Sequence, residues 1–264
     1  MKLISLNTWG GKLFEELIQF IRDQSKDTDI FCFQEIFNTS SAQTFFSSED
    51  NDLDSRVNLF HEITSALPNF KGFYAPAYSG LIHGLKPDFD ISYGLATFIK
   101  QKIKIKEAGD VFVFKTRGEA MDPESVKPRN LQHITVETGN QKCTLLNFHG
   151  LWFGGGLGKG DFPERLTQSQ NIKKFLDKTK GPKILCGDFN LWPETESLKM
   201  LETDGMTNLN KTHHITCTRS SHYKKEIKFA DYMLVSPEIK VNSFQVLPEE
   251  VSDHLAMVLD FEIK

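Results

Sequence analysis

The sequence lacks any apolar run that approaches the roughly 18 residues of a membrane-spanning helix. It also lacks a signal-peptide pattern, because the opening Met-Lys-Leu-Ile-Ser-Leu-Asn enters a strand pattern at once and its apolar stretch is too short. We therefore expect a protein without a membrane span.

Cysteine is scarce, with four residues at widely spaced positions, Cys32, Cys143, Cys186 and Cys217. Three of them lie inside apolar runs that have the pattern of strands, which predicts buried free thiols and not a disulfide framework. Free thiols are typical of a reducing compartment, so a cytoplasmic location is expected.

The sequence has no excess of positive charge, since its formal net charge is −4. This argues against a dedicated nucleic-acid-coating protein, whose affinity comes from neutralising phosphates. It leaves open an enzyme that binds a short stretch of backbone through a cation. Repeats, linkers and low-complexity tracts are also missing, so residues 1–264 are expected to form a single domain.

Apolar periodicity predicts an α/β fold in which strands and helices alternate. Strands are predicted at 2–7, 29–34, 94–106, 108–114, 131–137, 142–148, 183–186, 232–235 and 257–261. Helices are predicted at 13–21, 56–67, 164–177 and 195–201. The polar segment 38–55 is expected to be a mobile loop, and the glycine-dense segment 154–160 a flap with Lys159 available to touch substrate. Two halves with hairpins and helices favour two packed sheets flanked by helices.

The informative polar residues follow strand patterns and do not lie inside them. They are Asn7, Glu35, His149, Asp188 with Asn190, Asp231, and Asp253 with His254. Each alone has an ordinary interpretation: Glu35 as a surface carboxylate, Gly-Asp-Phe-Asn as a turn, Ser252 as a cap. Polar side chains at strand ends can converge on one rim of a sheet, where sites commonly lie.

The order of these motifs resembles the endonuclease/exonuclease/phosphatase superfamily. Asn-x-Trp, Gln-Glu, Asn-Phe-His, Gly-Asp-Phe-Asn, Asp-Tyr-x-x-Val-Ser and Ser-Asp-His follow one another from Asn7 to His254, nearly the whole chain. The resemblance implies a four-layered α/β sandwich, with two stacked, mainly antiparallel sheets flanked by helices and the site at one end. It also implies a metal-dependent phosphoesterase.

The resemblance implies a metal site built from Glu35 as the main ligand, with Asn7 and Asp253 as further ligands. Carboxylate and amide oxygens suit a hard cation such as Mg²⁺ or Mn²⁺. A zinc cluster of His213, His214, Cys217 and His222 is disfavoured, because its spacing matches no familiar zinc pattern.

The resemblance also implies roles for the remaining residues of the motifs. Asp188 is expected to orient or deprotonate the attacking water, and Asn190 to hold that water or a phosphate oxygen. His254, polarised by Asp231, is expected to contact the scissile phosphate, and His149 to contact it from the other side. Arg129, in Pro-Arg-Asn-Leu-Gln, is a candidate phosphate clamp on a looser match.

One position departs from the pattern of some nucleases in the superfamily. They place a glutamate behind the histidine that matches His149, whereas this sequence has Asp88 and Asp90 in that neighbourhood. Asp90 is the candidate to serve from a shifted position. The difference bears on the proton role of His149.

Aromatic and basic residues near the motifs leave alternatives open. Trp152, Phe153 and Trp192 could stack a base, dock an apolar leaving group, or pack beneath the flap. Trp192 is taken as a candidate substrate contact. Arg219, Lys224, Lys225 and Lys228 form a basic patch, for which a solvated face is favoured over contact with an anionic substrate.

The substrate is expected to be a phosphate ester of nucleic acid, because DNA processing is widespread in the superfamily. A nuclease or nucleic-acid phosphodiesterase is thus the first hypothesis. The alternative is a small-molecule or lipid-headgroup phosphoesterase, acting on an inositol phosphate or in the manner of a sphingomyelinase. A non-catalytic scaffold is a remote third possibility. The protein is expected to be a monomer.

Overall fold

Two six-stranded β-sheets dominate the computed structural model, which describes residues 1–47, 54–118, 126–153, 158–202 and 205–264. The strands are β1 (Lys2–Asn7), β2 (Ile30–Asn38), β3 (Phe45–Phe46), β4 (Ser55–Arg56), β5 (Phe70–Ser79), β6 (Ser92–Lys100), β7 (Lys104–Phe114), β8 (Arg129–Thr138), β9 (Gln141–His149), β10 (Lys183–Asp188), β11 (Thr207–Asn208), β12 (Asp231–Val235), β13 (Ile239–Val246) and β14 (Met257–Ile263). The helices are α1 (Phe14–Gln24), α2 (Leu59–Ala66), α3 (Pro163–Lys178), α4 (Glu196–Lys199) and α5 (Leu209–Thr212), with short 3₁₀ helices at Trp9–Gly11 and Met200–Glu202.

The two large sheets have the same arrangement of strand directions. Their orders are β13-β14-β1-β2-β6-β5 and β11-β12-β10-β9-β8-β7. In each sheet the central pair, β1–β2 or β9–β10, is parallel, and the other neighbours are antiparallel. The predicted mainly antiparallel sheets are therefore confirmed, and the parallel central strands bring their carboxyl ends to one edge.

Three apolar clusters hold the layers together. Side chains such as Leu3, Cys32 and Cys186 form the core between the two sheets. Helices α1 and α2 cover the outer face of the first sheet, and α3 covers the outer face of the second. Because each sheet is buried on both faces, the order helices, sheet, sheet, helix confirms the four-layered α/β sandwich.

The structure corrects several predicted element boundaries. The strands predicted at 94–106 and 108–114 are β6 and β7, with the turn at 101–103, and the helix predicted from Arg56 begins at Leu59. Strands β5 and β13 were not predicted. Both are edge strands, and Pro76 in β5 argues against a strand from sequence although an edge tolerates proline.

The predicted loops and thiols have separate outcomes. The segment 38–55 contains the short β3–β4 pair, and its residues 48–53 lie outside the described residues, as do 154–157 of the predicted flap. The four cysteines are free, and Cys32, Cys143 and Cys186 are buried as predicted. Within the described ranges, no helix is long and apolar enough to cross a membrane.

Candidate active site

Inward-facing side chains change from apolar to polar along the central strands of the second sheet. In β10, Ile184 and Cys186 lie in the core between the sheets, and Asp188 follows on the same face. His149, which ends β9, pairs with Asp188 across the parallel ladder. Asp231 begins β12 and pairs with Asp188 from the antiparallel side. Three of the predicted site residues therefore lie at one end of this sheet.

In the first sheet, a β-bulge brings Glu35 to the same end. Strict alternation would turn Glu35 onto the opposite face from Gln34, away from the second sheet. The register of β2 against β6 shifts between Phe33 and Ile36, and Glu35 has a φ of 59°. Bulges re-aim side chains in this way. Here the Glu35 carboxylate oxygen Oε1 lies 3.0 Å from the Asn7 amide nitrogen Nδ2.

Asp188 is buried and fixed through both carboxylate oxygens. The backbone N–H of Asn190 donates to Oδ1 at 2.9 Å, and Asn7 Nδ2 donates to Oδ2 at 3.0 Å. Asn190 has a φ of 53°, which asparagine tolerates. Glycine is required at position 187, just before Asp188, because a Cβ there would lie 1.9 Å from the carbonyl oxygen of Phe148; the φ of Gly187 is 137°. The Gly-Asp-Phe-Asn motif thus forms a rigid turn that presents one carboxylate.

His254 and Asp231 form a buried imidazole–carboxylate pair. His254 Nδ1 lies 2.8 and 2.9 Å from the two Asp231 oxygens, and Nε2 lies 3.5 Å from Asp188 Oδ2. Burial, followed by the charge of Arg219, lowers the pKa of His254, but Asp231, Asp253 and Asp188 together raise this pKa above its ordinary value. The protonated ring is therefore favoured, with Nε2–H directed toward Asp188.

Asp188 is held in its charged form by the same surroundings. Burial alone would raise the pKa of Asp188, but the charges of His254 and Arg219 hold that pKa well below its ordinary value. An ionised carboxylate between two imidazole rings can accept a proton from a bound water.

His149 lies on the other side of Asp188 and has an unexpected partner. Its Nδ1 lies 3.2 Å from the Tyr93 hydroxyl, while Nε2 lies 3.7 Å from Asp188 Oδ2 and 3.8 Å from Glu35 Oε1. Burial, followed by the charge of Arg129, lowers the pKa of His149 to about 3, so the ring is neutral.

The expectation that Asp90 supports His149 is wrong. The Asp90 carboxylate is exposed and accepts hydrogen bonds from the backbone N–H and hydroxyl of Ser40, at 3.1 and 2.9 Å. Because β6 runs antiparallel to β2, Tyr93 near its start reaches the active-site end, where the Tyr93 hydroxyl takes the place expected for a carboxylate.

Arg219 is also placed differently from the prediction. Lys224, Lys225 and Lys228 are exposed, as a solvated face requires, and Lys225 also lines the cleft described below. The solvated-face interpretation is wrong for Arg219, which is 6% exposed. Its Nη1 lies 2.6 Å from Asp253 Oδ2 and its Nη2 lies 3.8 Å from Asp188 Oδ2. A backbone bridge to His254 holds Arg219 there. Arg219 is therefore part of the site.

These groups open into one cleft with a volume of about 920 Å³. Glu35, His149, Asp188, Asn190, Asp253 and His254 line its floor, together with Arg129, Lys159, Trp192 and Arg219. Asn7 and Asp231 bond to this floor through their side chains. Aromatic and basic side chains also line the cleft, among them Trp9, Lys12, Tyr78, Lys127, Trp152 and Tyr223. The structure thus brings all ten predicted site residues together.

Arg129, Trp192 and Lys159 line the cleft and are each held by protein contacts. Arg129 is held by the carbonyls of Gly150, at 2.9 Å from Nε, and Pro128, at 3.1 Å from Nη1. The Trp192 ring packs on Gly158, where a Cβ would lie 2.8 Å from the ring, so it packs beneath the loop while lining the cleft. Lys159 Nζ donates to a backbone carbonyl at 3.1 Å. Burial, followed by the charge of Arg219, lowers the pKa of Lys159 to about 8.

A family model described as the Endonuclease/Exonuclease/phosphatase family matches residues 4–254 of the chain. The chain belongs to this family. Members of the endonuclease/exonuclease/phosphatase family hydrolyse phosphoric esters, and this chain is a phosphoester hydrolase. No curated protein sequence matches the chain significantly.

Solved structures share the fold at low sequence identity. A family protein from Leptotrichia buccalis C-1013-b has a TM-score of 0.72 and 18% identity, with 100% of both chains covered. A mannosyl-6-phosphatase from Bacteroides thetaiotaomicron VPI-5482 has a TM-score of 0.66 and 18% identity, also with 100% of both chains covered. The human Nocturnin catalytic domain has a TM-score of 0.65 and 19% identity, covering 100% of this chain and 93% of its own. These likenesses support the fold.

The endonuclease/exonuclease/phosphatase family generally uses divalent metals, and the site fits such an ion. Glu35, His149 and Asp188 offer atoms within 4.8 Å of one another, as do Asp188, Asp231 and His254. Within the described ranges, the buried Oδ1 atoms of Asp253 and Asn190 accept no hydrogen bond. Oxygen atoms of this kind are the ligands that hard cations prefer.

Asn7 was expected to be a metal ligand, but both ends of its side-chain amide make hydrogen bonds within the protein. Its Oδ1 accepts the backbone N–H of Trp9 at 2.9 Å, and its Nδ2 bridges Glu35 and Asp188. In this arrangement Asn7 orients the two carboxylates, and direct metal ligation by Asn7 stays a prediction.

The disfavoured zinc cluster does not assemble. His213 packs against Phe244 with ring centroids 5.4 Å apart, and His222 lies 6.1 Å from the Trp9 ring. The metal-competent groups found in the described part of the chain do not include them.

Proposed function

We propose that this family member hydrolyses phosphate esters with Mg²⁺ or Mn²⁺, by in-line attack of a water activated by Asp188. The observation that carries the proposal is the position of the Asp188 carboxylate, with His254 Nε2 at 3.5 Å and His149 Nε2 at 3.7 Å. A base between two possible phosphate contacts is the arrangement that a hydrolytic site requires.

We propose Glu35 and Asp253 as the residues that hold the metal, which when bound would neutralise charge on the phosphoryl and leaving oxygens. Asp188 takes the proton of the attacking water. The side chain of Asn190 holds that water or a phosphate oxygen. His254, favoured in its protonated form by Asp231, stabilises negative charge on the phosphate.

Arg129 and Lys159 contribute further positive charge near the phosphate. Both line the cleft and both are 6% exposed, so little water screens their charge. We propose them as phosphate contacts. The site draws on residues from Glu35 to His254 and on both sheets, which supports one catalytic domain over residues 1–264.

For the substrate, we propose a nucleic-acid phosphodiester first. Trp152 is 58% exposed at the cleft, next to the segment that carries His149, and presents an aromatic surface on which a base can stack. Lys12, Lys127 and Lys225 also line the cleft and can meet neighbouring phosphates.

A small-molecule phosphate ester is the second candidate. The cleft volume of about 920 Å³ lies within the range of small-ligand pockets, and one solved relative is a mannosyl-6-phosphatase. Inositol phosphates and a sphingomyelinase-like headgroup substrate belong to the same alternative. Because the chain is a phosphoester hydrolase, the non-catalytic scaffold is not retained.

One panel tests the proposal. Single-stranded RNA, abasic-site duplex DNA, mannose 6-phosphate, an inositol phosphate and sphingomyelin are incubated with the protein and Mg²⁺ or Mn²⁺, and with chelator as a control. Turnover of the nucleic acids alone supports the first candidate, and turnover of a small ester alone replaces it with the second. Turnover that persists in chelator would refute metal dependence.

We also propose a cytoplasmic monomer. The four free cysteines, three of them buried in the core, fit a reducing compartment. Light scattering coupled to gel filtration tests the monomer, and fractionation of cells tests the location.

A further inference from the structure

The two ring nitrogens of His149 face different surroundings. Nε2 faces two carboxylate oxygens at the proposed reaction centre, Glu35 Oε1 at 3.8 Å and Asp188 Oδ2 at 3.7 Å. This nitrogen is therefore the one that meets water, substrate or ion, and the other nitrogen faces the protein.

Nδ1 faces the Tyr93 hydroxyl at 3.2 Å. Tyr93 is 8% exposed, and burial raises the pKa of its hydroxyl well above the ordinary value, so the hydroxyl keeps its proton. Within the described residues, His149 is the hydrogen-bond partner found for this hydroxyl. Buried hydroxyl groups nearly always donate a hydrogen bond, and this hydroxyl can donate to Nδ1 only if Nδ1 carries no proton.

Aromatic packing fixes the Tyr93 hydroxyl in this position. The Tyr78 ring stacks on Tyr93 with centroids 4.9 Å apart at 25°, and Phe37 packs against it edge-on at 5.1 Å. The hydroxyl therefore cannot easily turn to another partner.

We propose that Tyr93 is a positioning residue that holds His149 as the neutral tautomer with its proton on Nε2. In this form His149 donates a hydrogen bond to a phosphate oxygen, and it neither ligates a metal through Nε2 nor takes a proton from water. The phosphate contact rests on the proposed function, but the tautomer does not.

The experiment is a long-range ¹H–¹⁵N correlation spectrum of substrate-free protein labelled with ¹⁵N-histidine, which distinguishes a protonated ring nitrogen from a bare one. His149→Gln assigns the signals. We expect Nε2 protonated in the unsubstituted protein, and a mixture of tautomers in Tyr93→Phe. The matched control is Tyr74→Phe, which removes a partly buried hydroxyl bonded to Ser92 Oγ at 3.0 Å; Tyr74 packs against the apolar cluster on the outer face of the first sheet. The His149 signals of this variant should not change.

Kinetics provide the second readout. Tyr93→Phe should lower kcat about 10-fold, as loss of a partner behind a functional histidine does, with KM nearly unchanged, and Tyr74→Phe should leave both constants unchanged. A proton on Nδ1 in the unsubstituted protein overturns the inference, whatever the variants do. Absence of any hydrolysis would instead defeat the proposed function while the spectrum still decides the tautomer.

Discussion

Asn7 Nδ2 lies 3.0 Å from Asp188 Oδ2, so the last residue of a strand in one sheet holds a carboxylate at the end of a strand in the other. The same nitrogen lies 3.0 Å from Glu35 Oε1. One buried amide therefore couples the proposed metal ligand to the proposed base. The site exists only when the two sheets are stacked in register.

This coupling predicts the effect of Asn7→Ala. Without the amide, Glu35 and Asp188 lose their common donor, and we expect Mn²⁺ affinity to fall about 10- to 100-fold. Calorimetric titration of Mn²⁺ measures it. Asn242→Ala, on an exposed edge strand, is the control and should bind like the unsubstituted protein. Equal affinities in the two variants would contradict the positioning role of Asn7.

Asp188→Asn tests the proposed base. The amide cannot take the proton of water, and we expect kcat to fall about 10²- to 10⁴-fold. Because the depressed pKa of Asp188 means that its charge stabilises the fold, the melting temperature should also fall, and kcat is measured at a temperature where circular dichroism shows folded protein. Asp177→Asn removes an exposed carboxylate paired with Lys173 on α3 and should retain full activity. A kcat within a factor of 3 of the unsubstituted value would remove Asp188 from the mechanism.

Arg219→Met tests the buried ion pair. The substitution leaves Asp253 and Asp188 without a cation that lies 2.6 and 3.8 Å away. We expect the free energy of unfolding to fall by about 3 kcal/mol or more, measured by urea denaturation. Adding Asp253→Asn should recover part of the loss. The control is Lys228→Met, at an exposed position in the same segment, which should change the free energy of unfolding by less than about 0.5 kcal/mol. A change as small as this in Arg219→Met would show that the ion pair is not needed for stability.

Asn147→Leu tests a polar contact between the sheets. Asn147 Oδ1 accepts from Gln34 Nε2 at 2.7 Å, and its Nδ2 donates to the Phe33 carbonyl at 3.1 Å. Leucine has a similar size but leaves these buried groups unpaired, so we expect a loss of about 2 to 4 kcal/mol. Chemical denaturation checks it. Unchanged stability would mean that Gln34 and the carbonyl find other partners.

Much of the fold was predictable because its central strands are local apolar runs. The strand at Lys2–Asn7 was predicted with its observed bounds, and the strand predicted at 183–186 continues to Asp188 in the structure. Alternation along β10 places Asp188 inward after Ile184 and Cys186. Edge strand β5 was missed because its side chains are partly exposed and Pro76 interrupts the pattern. The local sequence pattern therefore identifies central strands, which are buried on both faces, better than edge strands, which are partly exposed.

The sequence by itself determined the family, the layered fold and the identity of the polar residues at the strand ends, since these depend on residue type and short-range spacing. Only the tertiary structure decided three features: the bulge that turns Glu35 into the cleft, the burial of Arg219 against Asp253, and the choice of Tyr93 over Asp90 as the partner of His149. Each depends on contacts between segments that are distant in the chain. Periodicity carries no information about such contacts, because they form only when the two sheets pack together.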